Sequence, residues 1–402
     1  MSESVARAET PILFLPDGGS TRVELKIEDR AASHLWINPY TLCIGAARVR
    51  MDGIGGVETE PEYRQRGYSR RVMEAAVRYM QAGGRDAPPA VLSMLHGIGD
   101  FYPKFGYATA GADYYVALTH LPLNATMPSG WRARPFQHSD LDAVRRLYEQ
   151  NTARAVGAAV RPEDGKVWGA LAKTAEPNSE DACRVVEAPS GQLVAYAWQG
   201  RKFWYTDMLQ RDCPDILVLA EVMASGPAAA DAALAGCRVW AAEVSRTRAK
   251  PLEKVWLSLP PEGPVAAAAL RQTATFEQYT FACGSSMARV LDVARLLDAL
   301  RPELARRLQA AQRSERFALS FVTEIGEATL AVTPDGLAVE LSPAGDPTVV
   351  RLPQSDLARL ALGAFPPEDL LARLETPPDA PTTELLCLLF PQRHPHMWLP
   401  DR

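Results

Sequence analysis

The stretch PEYRQRGYSRR, from Pro61 to Arg71, sets four arginines around one glycine. A strand is predicted just before it, at Gly53–Thr59, and a helix just after it. The helix is indicated by apolar residues that recur on one face: Val72, Met73, Ala76, Val77 and Met80. A helix N-terminus presents unpaired N–H groups and the positive end of the helix dipole. The stretch therefore predicts a local anion site.

The residue types in this loop favour a pyrophosphate over a single carboxylate. Several consecutive N–H groups can each donate a hydrogen bond, and Gly67 lets the backbone come close to a ligand. Arg64 and Arg66 add positive charge at the same place. The pattern is short, and a surface loop with incidental arginines is the alternative interpretation. A Walker A loop is excluded, because the motif lacks its Gly-Lys-Ser/Thr ending.

The rest of the chain has an ordinary globular composition, with 402 residues and a formal net charge of −5. This charge argues against broad binding to nucleic acid or to a membrane surface. No apolar run approaches the roughly 20 residues that span a bilayer, and the first ten residues lack the apolar core of a signal peptide. Scattered cysteines without a CxxC pair predict reduced thiols in a cytoplasmic protein: Cys43, Cys183, Cys213, Cys237, Cys283 and Cys387.

Changes in pattern along the chain predict three domains, at residues 1–127, 128–285 and 286–402. The predicted fold class is α/β, in the broad sense that includes α+β. Strands are predicted, among other places, at Ala31–Ile37, Leu42–Arg50, Ala90–Leu95, Ile216–Ala224 and Arg238–Ser245. Helices are predicted at Pro227–Ala235, around Val290–Leu300 and at Glu303–Gln312, and Pro377–Pro381 is interpreted as a proline-rich connection.

Two longer runs carry a family resemblance. They are GIGGVETEPEYRQRGYSRRVMEAAVRYM, from Gly53, and LSMLHGIGDFYPKFGYATAG, which ends at Gly111. Together they resemble the GNAT superfamily of N-acetyltransferases, whose R/Q-x-x-G-x-G/A loop holds the pyrophosphate of coenzyme A. Ser69 replaces the last small residue of that pattern. The chain is more closely similar to the enhanced intracellular survival (Eis) acetyltransferases. These join two GNAT-like domains to a C-terminal domain like a sterol carrier protein, which matches the three predicted domains in order and size.

The resemblance implies an enzyme that moves an acetyl group from acetyl-CoA to a primary amine, on a small molecule or a peptide. It implies a homo-oligomer as well, with a hexamer as the form expected in the family. The second domain has Ser225-Gly226-Pro227 in place of the basic loop, which predicts that it does not bind CoA. The residues implied for CoA binding are Val57, Glu58, Thr59, Arg64, Gln65, Arg66, Gly67, Tyr68 and Ser69.

The resemblance makes Tyr102 the acid that protonates the CoA sulfur. The chemistry fits, because a phenol with an ordinary pKa near 10 stays protonated where a thiol with a pKa near 8.5 does not. The alternative is a core tyrosine with a satisfied hydroxyl group. Tyr107, close by in the same run, is interpreted as packing.

The base implied by the resemblance is the chain's own terminal carboxylate, at Arg402. The tail carries Met397, Trp398 and Leu399, which are costly to leave in water, so docking of the tail is predicted. Family members often end on an aromatic residue, and this chain ends on Arg402 instead. His394 and His396 have a more suitable ordinary pKa for a base, but lie further up the tail. His96 closes the predicted strand Ala90–Leu95, where it either faces the acceptor or is simply a polar residue at a strand end. No metal site is expected from the His-Pro-His sequence of the tail.

The first 56 residues depart from the GNAT pattern, because they predict strands and hairpins where that fold has two helices beside the acceptor pocket. A wide acceptor site, or one completed by a neighbouring subunit, is the expected consequence. Two other functions stay open at this point. One is a CoA-binding regulator or scaffold without transfer activity, and the other is a lipid carrier that works through the C-terminal domain.

Overall fold

The computed structural model describes residues 11–402 except 85–86, 273, 281–284, 334–335 and 342–344. Two predictions fall outside the described residues: the absence of a signal peptide, which depends on residues 1–10, and the state of Cys283. The other five cysteines are free thiols, as predicted. Within the described part of the chain, no helix combines the length and the apolar character that crossing a membrane requires. Strands and α-helices are numbered below in chain order.

The first sheet has the strand order β1-β2-β3-β4-β5-β16-β6, and β9 pairs with β3. Its strands are β1 Ile12–Asp17, β2 Ser20–Ile27, β3 Arg30–Ile44, β4 Ala47–Thr59, β5 Leu92–Gly97, β6 Ala108–Thr109, β9 Val156–Ala159 and β16 Ser285–Val290. Helix α1, Tyr68–Ala82, packs its predicted apolar stripe on one face of this sheet, and Gly83 follows its last residue as the C-cap. As predicted, no helix lies among the described residues before β4.

The predicted break between strands near Asn38 is wrong, because β3 and β4 are two long antiparallel strands. Pro39 lacks an N–H group and ordinarily disrupts a ladder. Here the pairing of β3 with β2 ends at Ile37, and its pairing with β9 begins only at Leu42. Pro39 therefore lies where β3 has a partner on one side only, and no ladder bond is lost.

The tight turn between β3 and β4 is held by a carboxylate from the C-terminal part of the chain. Gly45 has φ +58°, and a Cβ at this position would lie 2.2 Å from the carboxyl carbon of Glu303. The Glu303 carboxylate accepts hydrogen bonds from the backbone N–H of Ala46 at 2.8 Å and from Arg306 and Arg307 at 2.7 Å. Burial would raise the pKa of Glu303, but these donors outweigh it and lower the pKa to about 2.

Replacing Glu303 by Gln is expected to lower stability at pH 7 and to flatten its acid dependence. A carboxylate whose pKa is lower in the folded protein than in the unfolded chain stabilises the fold at pH values above its unfolded pKa, near 4.5. That stabilisation is lost as the pH falls toward the folded pKa, about 2. Denaturant unfolding of both proteins between pH 7 and pH 3 measures this difference. Parallel pH profiles would mean that Glu303 does not hold the turn through its charge.

Two four-stranded sheets follow, in the orders β13-β11-β10-β8 and β12-β14-β7-β15. The predicted strand at Ile216–Ala224 is interrupted at Ala220, so its first half pairs with β14 and its second half with β11. The strands are β7 Asp113–Leu118, β8 Arg132–Pro135, β10 Cys183–Glu187, β11 Leu193–Trp198, β12 Ile216–Leu219, β13 Glu221–Ala224, β14 Lys254–Ser258 and β15 Ala274–Tyr279. The helices are α2 Leu141–Thr152, α3 Lys166–Ala172, α4 Trp204–Asp212, α5 Pro227–Arg246 and α6 Pro264–Leu270.

Helix α5 overturns one predicted strand, Arg238–Ser245, which forms the second half of this helix. Its alternation of apolar and polar residues also fits a helix with a wide apolar face. Gly236 and Cys237 continue the buried face of the alanine-rich first half, so helix formation propagates through the segment.

Two strands are exchanged between the first sheet and the second pair of sheets. β7 leaves its neighbours in sequence and pairs with β14 and β15. In return, β16 pairs with β5 and β6 of the first sheet. Hydrogen bonds therefore cross both predicted domain boundaries, at 127/128 and near 285/286. The division into three domains stays a prediction about sequence organisation.

The C-terminal part has one four-stranded sheet, in the order β19-β18-β17-β20. Helix α7 packs against this sheet and also against β4, so the apolar core is continuous with the first sheet. The elements are α7 Val293–Ala310, β17 Ala318–Thr323, β18 Gly326–Thr333, β19 Gly336–Glu340, β20 Thr348–Arg351, α8 Gln354–Leu362, α9 Pro367–Leu371 and α10 Ala380–Leu389.

Two predictions in this part are corrected. The two helices predicted around Pro302 form one helix, α7. A proline inside a helix costs about 3 kcal/mol, and buried leucines on both sides of it, such as Leu300 and Leu304, hold the two halves in line. The proline-rich connection leads directly into α10, where Asp379 accepts the N–H of Thr382 at 2.9 Å as an N-cap. Proline is compatible with the first helical turn.

Candidate active site

The first sheet opens between β4 and β5. These parallel strands pair only from Met51 to Gly53, opposite Leu92 to Met94. Beyond this point β4 stays paired with β3 alone, and β5 stays paired with β16. The backbone of the last residues of β4 therefore faces a gap, into which an extended ligand can add like a further strand.

A bulge in β4 produces this divergence. Two residues, Gly56 and Val57, stand opposite Leu35 alone in the register of β3. Gly56 has φ +58°, and a Cβ there would lie 2.6 Å from the ring of Trp36. Bulges bend the strand that carries them and increase its local twist, so Gly56 turns the end of β4 away from β5.

The predicted anion loop follows the end of β4. Val57 and Thr59 are half-buried and Glu58 is exposed, and after them a 3-10 turn at Pro61–Tyr63 leads into the loop. The loop residues Arg64, Gln65, Arg66 and Gly67 are all exposed, while Tyr68 and Ser69 are half-buried at the start of α1. The structure thus brings the predicted CoA-binding residues together beside the gap.

Backbone conformation prepares this loop for a ligand. Gln65 and Gly67 have φ +61° and +77°, and no side chain caps the N-terminus of α1, whose first turn has no acidic residue. The N–H groups of that turn have no partner inside the helix. Arg64 is held by a hydrogen bond from its Nε to the carbonyl of Thr59 at 3.1 Å, and Arg66 lies 5.6 Å from the ring centre of Tyr63.

Tyr102 lies at the end of β5, in a 3-10 turn that spans Tyr102–Phe105. Its ring packs over Gly97, where a Cβ would lie 2.3 Å from the ring. Its hydroxyl has no hydrogen-bond partner among the described residues. Burial raises the pKa of Tyr102 above its ordinary value, so the phenol is protonated at neutral pH and can donate a proton.

Tyr107 is buried, as the sequence analysis expected of a packing residue. Its hydroxyl lies 2.7 Å from the Ser93 hydroxyl inside the core. Burial also raises the pKa of Tyr107. Both tyrosines are buried in the same core cluster, but they differ in kind, since the Tyr102 hydroxyl has no partner among the described residues and the Tyr107 hydroxyl is satisfied.

His96 is the neighbour of Gly97 on β5 and therefore faces the other side of the sheet. Its ring lies 6.2 Å from that of Tyr205, and its Nε2 is buried without a partner among the described residues. Burial and the charge of Arg402 lower the pKa of His96 to about 3. His396 has a pKa lowered to about 3 by the same causes. Both rings are neutral at physiological pH and are weak bases.

The C-terminal tail is docked, as predicted. The N–H of His396 donates to the carbonyl of Val156 at 2.9 Å, and Trp398 and Leu399 are 4% and 0% exposed. The tail lies between the diverging strands β13 and β14, because His396 contacts Ser258 of β14 and Trp398 packs in one core with Met223 of β13. The opening between β13 and β14 thus holds the chain's own tail.

The last residue is fixed by buried charges. The guanidinium of Arg402 pairs with Asp113, and both side chains are 4% exposed. The Tyr205 hydroxyl also donates to Asp113, at 2.8 Å. Tyr205 also contacts His96, whose side chain is on the face of the sheet opposite to Tyr102. Arg402 and Tyr102 therefore lie near the last residues of β5 on opposite faces of the sheet.

A second buried cluster anchors the residue before it. Arg161 donates from Nε and a terminal nitrogen to Asp401, at 2.9 and 2.7 Å, and pairs with Glu221 of β13. Tyr196 donates to Glu221 at 2.8 Å, and the guanidinium lies 3.9 Å from the ring centre of Tyr148. Sequence analysis missed Asp113, Arg161 and Glu221. The one available signal was a lone arginine directly after the apolar run Val156–Val160.

The side chains that could ligate a metal ion are dispersed in the described part of the chain. Among the residues that the structure describes, no group of three or more His, Cys, Asp or Glu side chains could hold a metal ion. His394 of the tail pairs with Glu262 at 2.7 Å instead.

Comparison with known families gives one match, to a family model described as an acetyltransferase (GNAT) domain, over residues 19–110. The matched region includes the diverging strands, the anion loop and Tyr102. Residues 19–110 carry a GNAT acetyltransferase domain. A sequence comparison with curated proteins finds no match.

The fold of nearly the whole chain is found in solved structures. A probable N-acyltransferase from Enterococcus faecalis V583 aligns with a TM-score of 0.69 at 16% identity, over 94% of this chain and 89% of that one. A GCN5-related N-acetyltransferase from Kribbella flavida gives 0.65 at 21% identity, over 94% and 87%. Eis1 from Mycobacterium abscessus gives 0.60 at 13% identity, over 95% and 91%. At these identities the likeness shows a shared mixed α/β fold, and the GNAT domain shows an acetyltransferase.

Proposed function

We propose that this protein transfers an acetyl group from acetyl-CoA to a primary amine on a small molecule or a peptide. The observation that carries the proposal is the juxtaposition of a β4–β5 gap, an uncapped helix N-terminus with a basic loop, and a tyrosine with a free hydroxyl. The CoA pyrophosphate would lie on the loop Arg64–Ser69, and the pantetheine arm along Val57–Thr59. The thioester would then reach the end of β5.

The proposed reaction is direct transfer. The neutral amine attacks the thioester carbonyl, and the C–S bond breaks as the N–C bond forms. Tyr102 gives its proton to the leaving thiolate. The proton lost by the amine goes to the terminal carboxylate of Arg402, directly or through water, since the two buried histidines are poor acceptors. The phenolate of Tyr102 then takes up a proton from solvent for the next cycle.

The proposal is tested by free-thiol release from acetyl-CoA in the presence of a panel of small and peptidyl amines. Release that depends on an amine, with the acetylated product identified by mass, supports transfer. A second candidate function is CoA binding without transfer, which the helix-free stretch before β4 favours because it leaves the acceptor side without its usual wall. CoA binding by calorimetry with no amine-dependent release from any acceptor would support that candidate instead.

Replacing Arg64 and Arg66 together by Ala is expected to raise the Kd for CoA by at least about a hundredfold, because charge-assisted hydrogen bonds to phosphate contribute about 1.5–3 kcal/mol each and about 1.4 kcal/mol is tenfold in Kd. The loss should be greatest at low salt. Arg78→Ala, an exposed arginine further along α1, is the matched control and should bind CoA normally. Equal affinities in all three proteins would place the pyrophosphate elsewhere.

Three further properties belong to the same proposal. We propose one CoA per chain, because the opening of the second domain holds the tail and its loop at Ser225–Pro227 carries no arginine. A homo-oligomer, with a hexamer as the form implied by the resemblance to Eis acetyltransferases, and a cytoplasmic location, predicted from the scattered cysteines, are also proposed. The likeness of the C-terminal part to a sterol carrier protein, and lipid carriage through it, are predictions that a lipid-binding assay on the full chain can test.

A further inference from the structure

Asp401 and Arg402 of the tail have charged side chains that are buried and paired. Arg402 pairs with Asp113, and Asp401 with Arg161, and each of these four side chains is at most 4% exposed. Chain termini ordinarily fray, and removing a charge from water costs several kcal/mol per ion. Apolar residues would dock a tail at lower cost. Two buried ion pairs therefore fix the position of Asp401 and Arg402 more specifically than apolar packing alone would.

Asp113 is held from several directions. It begins β7 and is paired through its backbone register with Tyr279 of β15, and one carboxylate oxygen accepts the Tyr205 hydroxyl at 2.8 Å. Burial would raise the pKa of Asp113, but the charge of Arg402 and the Tyr205 hydrogen bond outweigh it and keep the pKa below its ordinary value. Asp113 is therefore an ionised group on a rigid strand, and its remaining oxygen faces Arg402.

The Arg402 side chain is held at both ends. Its Nε donates to the carbonyl of Met397 at 2.8 Å, and its guanidinium pairs with Asp113 and lies 5.3 Å from the ring centre of Tyr205. Between Met397 and Arg402 the backbone forms a 3-10 turn, Leu399–Asp401. The terminal Cα is thereby fixed, because the side chain that leaves it folds back on the same short loop.

We propose that Asp113 is a positioning residue that holds the terminal α-carboxylate at the end of β5 through its ion pair with Arg402. This inference rests on the proposed function, in which that carboxylate accepts the proton of the amine. Asp113 itself takes no proton in the reaction and touches neither substrate. Its β7 strand lies between β14 and β15, so the second domain fixes the base that the first domain uses.

The test replaces Asp113 by Asn in the full-length protein, which keeps the shape of the side chain and removes its charge. Two quantities are measured. One is the rate at which a carboxypeptidase specific for basic residues releases Arg402, followed by intact mass. The other is the steady-state rate of acetyl transfer to an amine that the wild-type protein accepts.

The expected result is release of Arg402 at least about tenfold faster, because loss of a buried ion pair favours local opening of the tail. The kcat should fall at least about tenfold, while the KM for acetyl-CoA stays within about twofold, because the anion loop is not altered. Tyr205→Phe removes one hydrogen bond to Asp113 and should shift both quantities in the same direction by less. It serves as the second variant if Asp113→Asn does not fold.

Asp215→Asn is the matched control, since Asp215 pairs with Arg248 and Lys250 on the surface of the second domain. It should change neither quantity. Unchanged release of Arg402 in both test variants would overturn the positioning role of Asp113. Faster release with unchanged kcat would support the ion pair as a clamp on the tail and would contradict the proposed use of the carboxylate as the base, so the two failures are distinguishable.

Discussion

Replacement of Tyr102 by Phe is expected to lower kcat by about 10²–10⁴, the range over which a positioned general acid acts. The substitution removes only the hydroxyl, which has no partner among the described residues, so no buried group is left unsatisfied. Stability and the KM for acetyl-CoA should therefore stay close to wild type. Thiol release under saturating amine and acetyl-CoA, together with thermal unfolding, measures both parts of this prediction.

Tyr107→Phe is the control for this variant, because it makes the same chemical change five residues away. It breaks the buried hydrogen bond with Ser93 and should cost about 1 kcal/mol of stability while activity is kept. Tyr102→Phe should thus lower activity and keep stability, whereas Tyr107→Phe should lower stability and keep activity. If Tyr102→Phe turned over at the wild-type rate, the acid would have to be another group or water.

Replacement of Arg161 by Leu is expected to destabilise the protein by about 3–5 kcal/mol, because it leaves two buried carboxylates without their cation. Burial already raises the pKa of Glu221 above its ordinary value in the presence of Arg161. Without Arg161 the pKa rises further. A carboxylate whose pKa is higher in the folded protein than in the unfolded chain favours the folded state at pH values below its unfolded pKa. That contribution is lost as the pH rises through the folded pKa. The defect should therefore be larger at pH 8 than at pH 5 in denaturant unfolding.

Two comparisons sharpen this experiment. Arg211→Leu removes an arginine whose pairing with Asp212, at 3.4 Å, is exposed, and should change stability by at most about 1 kcal/mol. The double variant Arg161→Leu/Glu221→Gln removes one of the two orphaned charges and should recover part of the loss. A single variant as stable as wild type at every pH would mean that the cluster is solvated in solution.

The first domain was largely predictable from local sequence signals. The helix after the anion loop is marked by its apolar stripe and by Gly83, and the loop by its arginines and Gly67. Gly56 also lay within the recognised run, although its role in bending β4 depends on Trp36 from another strand. Local patterns therefore located the loop of the proposed CoA site, and the family resemblance located Tyr102, the proposed acid.

The other half of the site could not be predicted, because it depends on contacts between distant parts of the chain. Asp113 and Arg402 are 289 residues apart in sequence, and Arg161 and Asp401 are 240 apart. An acidic residue at a strand start and an arginine after an apolar run are each common on protein surfaces. Only the path of the tail through the second domain turns them into buried partners.

The exchange of β7 and β16 has a consequence for how the protein is made. The ribosome completes β7 at Leu118, but the partners of β7 begin at Lys254, and the place between β5 and β6 is filled only by Ser285–Val290. At elongation rates of about 5–20 residues per second, the delay between β7 and β16 lasts roughly 10–30 s. During this time the nascent chain presents unpaired strand edges, which readily join other chains. The two sheets that β7 and β16 complete can thus close only after about Val290 has been synthesised.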